Sequence, residues 1–171
     1  MDDSKTKLDE LLAATGARGV PSTSGPMTIL LVDDDEDCRT FVRDAIRECG
    51  RDHRIVEHGD GLSALQYLRQ ADADSRPGLI FLDVEMPGLD GLETLRRIKA
   101  NPILCRIPVV MLTGVAEPAC MHRAAELGAN SYTVKPAKAE QFLNTVQASA
   151  TYWLTVHQYP QRHLDQADAR R

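Results

Sequence analysis

Four places in this chain carry side chains that could do chemistry together if the fold joined them. A run of five acids, Asp33-Asp34-Asp35-Glu36-Asp37, follows the apolar stretch MTILLV, and Asp83 closes a second stretch, LIFLD. Thr113-Gly114 follows IPVVML, and Lys135-Pro136 ends NSYTVK. Three carboxylates from two such ends would repel: at an effective dielectric near 20, each pair about 4 Å apart costs roughly 4 kcal/mol. A cluster of that kind needs a cation or a bound proton. Hard carboxylate oxygens with room for water suit Mg²⁺. Adding a hydroxyl and an ammonium gives a site for phosphoryl transfer, with a carboxylate nucleophile, a metal and two groups for the phosphoryl oxygens.

Plainer readings compete at each position. Carboxylates in a first helical turn are stabilised by about 0.3–1 kcal/mol each, which accounts for Asp35, Glu36 and Asp37. It accounts less well for Asp33 and Asp34, which stand at the mouth of a buried stretch. A calcium loop would place Asp33, Asp35, Asp37 and Asp44 at its positions 1, 3, 5 and 12. Its position 6 is then Cys38 instead of glycine, and a strand precedes it where a helix should. A threonine at a strand end is usually structural and a lysine there usually solvated; the combination is what points to a site.

The elements that must position these residues alternate. The short apolar runs fall at 27–32, 54–58, 79–83, 107–112 and 130–135. Several are apolar throughout and rich in Ile, Val or Leu, as parallel strands covered on both faces are. Between them lie stripes with helical spacing: Phe41, Val42, Ala45, Ile46, Cys49; Leu62, Leu65, Leu68; Leu92, Leu95, Ile98; and Met121, Ala124, Ala125, Leu127. A fifth, from about Lys138 to Val156, carries Phe142, Leu143, Val146, Ala150, Trp153 and Leu154. Asp90-x-x-Glu93 resembles a capping box, Pro118 suits a first turn, and Gly128 a helix stop. Strict strand–helix alternation predicts an α/β doubly wound, five-stranded parallel sheet. Ligands bind such sheets beyond the carboxyl ends of the strands, at the switch in strand order.

The remaining composition narrows the function classes. The 171 residues hold 25 Asp+Glu against 20 Lys+Arg, a net charge of −5, which argues against a general nucleic-acid or anionic-membrane binder. The five acids at 33–37 alone equal that excess. No apolar run approaches the roughly 18 residues a membrane span needs, and the N-terminus lacks a signal-peptide core. Cysteines 38, 49, 105 and 120 fit neither a zinc site nor a disulfide scaffold, so free thiols in a reducing cytosol are expected. Residues 1–26 read as a flexible tail, with Leu8, Leu11 and Leu12 at the spacing of a short amphipathic helix before the Gly/Pro/Ser-rich linker GARGVPSTSGP.

ILLVDDDED, LIFLDVEMPGLDGLETLRRIK, IPVVMLTG and SYTVKPA, in this order and spacing, resemble the receiver domain of two-component response regulators over residues 27–148. The resemblance implies the flavodoxin-like (βα)5 receiver fold. It makes Asp83 the phosphoacceptor that attacks the phosphohistidine of a sensor histidine kinase. Asp34 and Asp83, with the backbone carbonyl of Glu85, would coordinate Mg²⁺, with Asp33 acting mostly through water. Lys135 and Thr113 would each bind a phosphoryl oxygen, Gly114 would leave room, and a cis Lys135-Pro136 bond would aim the ammonium. Tyr132 matches the switch aromatic; its plainer reading is a half-buried strand residue.

The same resemblance describes a phosphoacceptor that takes part in its own phosphotransfer and autodephosphorylation, not an enzyme. Its switching surface would be the fourth helix, fifth strand and fifth helix, also the expected homodimer face. Residues 149–171 leave no room for an output domain and are expected to extend the last helix. FLNTV, YWLT, the closing YP and KANPILCRIPVV resemble stand-alone regulators of bacterial and cyanobacterial phytochrome kinases. Trp153 reads either as part of a dimer face or as a core residue capping the sheet edge. The rival function is an aspartyl-nucleophile phosphatase of haloacid-dehalogenase type, whose nucleophile normally lies on the first strand with its acidic pair late in the chain. A dinucleotide-binding fold lacks its GxGxxG here.

Overall fold

The structure, a computed structural model, describes residues 26–49, 52–114, 117–135 and 139–156. Five parallel strands form one sheet: β1 Thr28–Val32, β2 Arg54–His58, β3 Leu79–Asp83, β4 Val109–Thr113 and β5 Ser131–Val134. Their spatial order is β2-β1-β3-β4-β5. The central strands TILLV, LIFLD and VVMLT are buried at every residue, whereas β2 and β5, at the edges, are mostly half-buried. That split explains why only the central runs are apolar throughout. The doubly wound α/β expectation holds.

Five α-helices cover the sheet: α1 Glu36–Glu48, α2 Gly61–Gln70, α3 Gly91–Ala100, α4 Pro118–Glu126 and α5 Ala139–Thr151, the last continuing as a π-helical turn, Tyr152–Val156. Alternate strand residues feed opposite faces. Leu30, Val32, Ile80, Leu82 and Met111 pack with Leu65, Leu68, Leu95, Ile98 and Ala124 on one side. Ile29, Leu31, Phe81, Val110 and Leu112 pack with Val42, Ile46, Phe142, Val146 and Trp153 on the other.

Local signals set most of the helix starts. Asp35, Asp60 and Asp90 each cap a helix by accepting backbone N–H bonds, from Asp37 and Cys38, from Ser63 and from Glu93. The expected capping box at Asp90 is only half made, because the Glu93 carboxylate turns to Arg96 and Arg97, 2.6 and 2.8 Å away. Pro118 stands in the first turn of α4, and Gly128 ends it with φ +91°. The fourth strand begins at Val109, two residues later than its apolar run. Pro108 has no N–H to give the ladder, although its carbonyl still accepts from Ile80 at 3.0 Å.

Some expected stripe residues face water. Leu62 is 62% exposed and Met121 40%, and Ala124 is the one buried residue of α4. That helix is short and covers little of the core. Trp153, which the sequence allows as a dimer contact or a core residue, is 5% exposed and lies in the apolar cluster between α1, α5 and the sheet. The π-helical register turns Trp153 and Leu154 inward while Tyr152 stays half exposed. Trp153→Ala is therefore expected to act on folding, lowering stability by about 3–5 kcal/mol. Denaturant unfolding followed by circular dichroism measures this; a loss under 1 kcal/mol would contradict the packing.

Among the described residues no helix is long and apolar enough to cross a membrane. The expected leucine helix before residue 13 and the polar stretch after Val156 lie outside the described residues.

Candidate functional site

The chain leaves β1 toward β2 on one side and toward β3 on the other, so the sheet's strand order switches at β1 and β3. Asp33 follows the last residue of β1, and Asp83 is the last residue of β3. The carboxyl ends of these neighbouring strands bring the two acids together. Asp33, Asp34 and Asp83 each offer an oxygen within 4.8 Å of the others, the two strand-end residues buried and Asp34 exposed. Thr113 ends β4 and is fully buried. The Lys135 N–H donates to the Thr113 carbonyl at 2.6 Å, which carries the lysine to the same edge from β5.

The lysine ammonium spans the acids. Its Nζ donates to Asp33 Oδ2 at 2.6 Å and lies 2.9 Å from Asp83 Oδ1. Asp33 Oδ1 accepts from the Asp35 N–H at 3.0 Å, so both its oxygens are engaged. Asp83 Oδ1 differs: it is buried, and although the ammonium is an ion-pair neighbour, no donor meets it in hydrogen-bond geometry. Burial pushes the Asp83 carboxyl up to about 6, against the pull of Lys135. Burial also works against the Lys135 ammonium, but the Asp33 carboxylate beside and bonded to it, with the Asp83 carboxylate close by, holds it above the ordinary lysine range.

This donor set fits a small hard cation. Three carboxylates converge with one ammonium between them, one buried oxygen has no hydrogen bond, and one carboxylate opens to solvent where bound water would be retained. The arrangement also has the elements of a phosphoryl site, with a buried carboxylate beside an ammonium and a threonine at the end of the neighbouring strand.

The sequence profile of the response regulator receiver domain matches residues 29–147. The chain belongs to that family. It is 36% identical over 132 residues to response regulator Rcp1 of Synechocystis sp., spanning 75% of this chain and 90% of that protein. The crystal structure of the Mn²⁺-bound form of Rcp1 superposes with a TM-score of 0.74 at 35% identity, covering 79% of this chain and 99% of that one. The phosphorylated cyanobacterial phytochrome response regulator RcpA also gives 0.74, at 33% identity, covering 80% and 99%. The receiver fold and two-component family are thereby shown. The haloacid-dehalogenase alternative finds no support in these relatives, and Asp83 lies on the third strand, not the first.

Within this receiver, the other expected residues stand as follows. Tyr132 is half-buried, packs against the α2/α3 side of the core and shares a side-chain hydrogen bond with Thr113. It is therefore in contact with the site, not held away from it. Glu85 is exposed and reaches across the mouth, its Oε2 3.4 Å from where a Gly114 side chain would begin. Pro136 lies outside the described residues, and the cis-bond expectation with it.

Two neighbours carried no sequence signal. Cys38, one turn into α1, places its thiol against Asp33 and Lys135, and burial pushes that thiol up to about 12, so it stays protonated. Arg39 reaches back from α1 to the Asp33 carbonyl at 2.6 Å. Both are ordinary helix residues by spacing; their relation to the acids exists only once α1 docks on the sheet.

Proposed function

We propose that this receiver takes a phosphoryl group onto Asp83 from the phosphohistidine of a sensor histidine kinase. The observation that carries the reading is the buried Asp83 oxygen that lies against the Lys135 ammonium without a hydrogen bond, beside Asp33 and Asp34. In the transfer a carboxylate oxygen of Asp83 attacks phosphorus. The P–N bond breaks with its electron pair returning to the imidazole, and an acyl phosphate forms. Lys135 and Thr113 each hold one phosphoryl oxygen.

Asp34, Asp83 and the Glu85 backbone carbonyl would hold Mg²⁺, with Asp33 acting through water; when bound, the ion neutralises charge on the transferring oxygens. Addition of Mg²⁺ at ten times its dissociation constant is expected to stabilise the fold by about 1.4 kcal/mol. Asp34→Asn or a chelator should remove that gain. Thermal melts with and without MgCl₂ measure it, and an unchanged gain in Asp34→Asn contradicts the ligand set.

The acyl phosphate adds about −1.5 to −2 charge. Thr113 would turn from Tyr132 toward the new oxygens, freeing the ring to move and changing the α4/β5/α5 face. Reversing a population from 1:99 to 99:1 takes roughly 5.5 kcal/mol, which the new bonds and the ring's burial would supply jointly. Met121 and Leu143, 40% and 38% exposed on α4 and α5, make this face the candidate homodimer surface. The four cysteines are free thiols, in keeping with a cytoplasmic location. The likeness to Rcp1 and RcpA directs the partner search to phytochrome kinases. A phosphotransfer profile against purified histidine kinases should show fastest labelling by a phytochrome kinase; preferential labelling by an unrelated kinase overturns that assignment.

A further inference from the structure

The carboxylates of the site need a fixed backbone to aim them, and the structure shows what fixes it. The Asp33 N–H donates to the His58 carbonyl at the end of β2, at 3.1 Å. On its other side, the Asp33 carbonyl accepts from Arg39 Nη1 at 2.6 Å, a charge-assisted bond. That carbonyl belongs to the peptide plane joining Asp33 to Asp34. Because the plane is rigid, pinning its oxygen also sets the Cα of Asp34, the point from which its exposed carboxylate starts.

Arg39 is itself anchored. Its Nε lies 3.5 Å from Glu57 Oε2 on β2, and its side chain is only 17% exposed. The other oxygen of Glu57 accepts from Arg43 Nη1 at 2.9 Å, and Arg43 Nη2 donates to Thr40 Oγ1. Two nitrogens of the Arg39 fork thus point inward, Nη1 at a backbone oxygen and Nε at a β2 carboxylate. A residue built for partner docking would present them to solvent. The planar fork of arginine matters here, since a lysine ammonium has no second fixed donor for Glu57.

From this geometry we infer that Arg39, held by Glu57, is a positioning residue for the cation site. It orients the Asp33–Asp34 peptide so that both carboxylates face the ion. The inference rests on the reading of this cluster as a Mg²⁺-dependent phosphoacceptor site. It assigns to α1 and the edge strand β2 a part in that site beyond the acids themselves.

The test is Mg²⁺ binding by isothermal titration of the full chain, with acetyl phosphate labelling in parallel. Arg39→Met, shown folded by circular dichroism, is expected to weaken Mg²⁺ about ten-fold or more, the usual range for lost outer-shell partners. Its labelling should be slow at low Mg²⁺ and recover at saturating Mg²⁺, a pattern a general loss of stability does not give. Arg39→Lys should fall between parent and Arg39→Met, and Glu57→Gln should shift affinity the same way by less. Mg²⁺ affinity within two-fold of the parent in folded Arg39→Met overturns the inference. If Arg39→Met does not fold, parental affinity in both Arg39→Lys and Glu57→Gln overturns it. If the parent itself neither binds Mg²⁺ nor labels, the reading of the site fails instead.

Discussion

Asp83→Asn is expected to abolish phosphoryl labelling by any kinase or small phosphodonor while leaving a folded protein. An amide oxygen is a poor nucleophile toward phosphorus, and no other buried carboxylate has its place. Asp33 Oδ2 is bonded to Lys135 and its Oδ1 to the Asp35 N–H, so it cannot substitute. The same change has a signature in stability. Burial raises the Asp83 carboxyl from 3.8 to about 6, so the native state holds this proton more tightly than the unfolded chain. Its contribution to stability is full below the unfolded value and is lost as pH rises through about 6. In the metal-free parent this group should lower stability across that window, by an amount on the order of 1–3 kcal/mol. Asp83→Asn should flatten that slope. Melts from pH 4 to 7 in chelator measure it, and equal slopes in the two proteins would contradict the buried-carboxylate account.

Gly91→Ala is expected to be the most damaging small substitution near the site. Gly91 opens α3, and its N–H donates to the Val84 carbonyl at 2.9 Å. A side-chain carbon there would fall on the Asp83 carbonyl oxygen and within 2.8 Å of the Asp83 carbonyl carbon and Val84 Cα. All three are backbone atoms where β3 ends at Asp83, so no side chain can swing aside. The β3–α3 loop must open, at a cost of about 3 kcal/mol or more, and Asp83 moves with it. Gly88→Ala is the control. Its φ is +78° but nothing lies within 4 Å, so the cost should stay near 1 kcal/mol. Denaturant unfolding compares them, and equal costs would contradict the close approach of α3 to Asp83.

The fold was legible because its signals were strong and local. TILLV, LIFLD and VVMLT are buried through their whole length and apolar but for Thr28, Asp83 and Thr113 at their ends, and Asp35, Asp60 and Asp90 each stand one residue before a helix. The neighbourhood of Asp33, Asp83, Thr113 and Lys135 followed from the strand-end rule, since four strand ends deliver these four residues. What stayed hidden depends on how elements dock. Arg39 and Glu57 meet across an α1–β2 seam that no spacing encodes. Trp153 is turned inward by a π-helical register that helical periodicity does not foresee. Leu62 fits its stripe but lies in the first turn of α2, where it is 62% exposed.

The most direct test of the central claim is site mapping after phosphotransfer. The parent is labelled with a histidine kinase or acetyl phosphate in MgCl₂ and in chelator, then digested for tandem mass spectrometry at low temperature. The account requires one phosphoryl group per chain, on Asp83, formed only with Mg²⁺ present. A phosphoryl group on any other residue, or equal labelling in chelator, contradicts it.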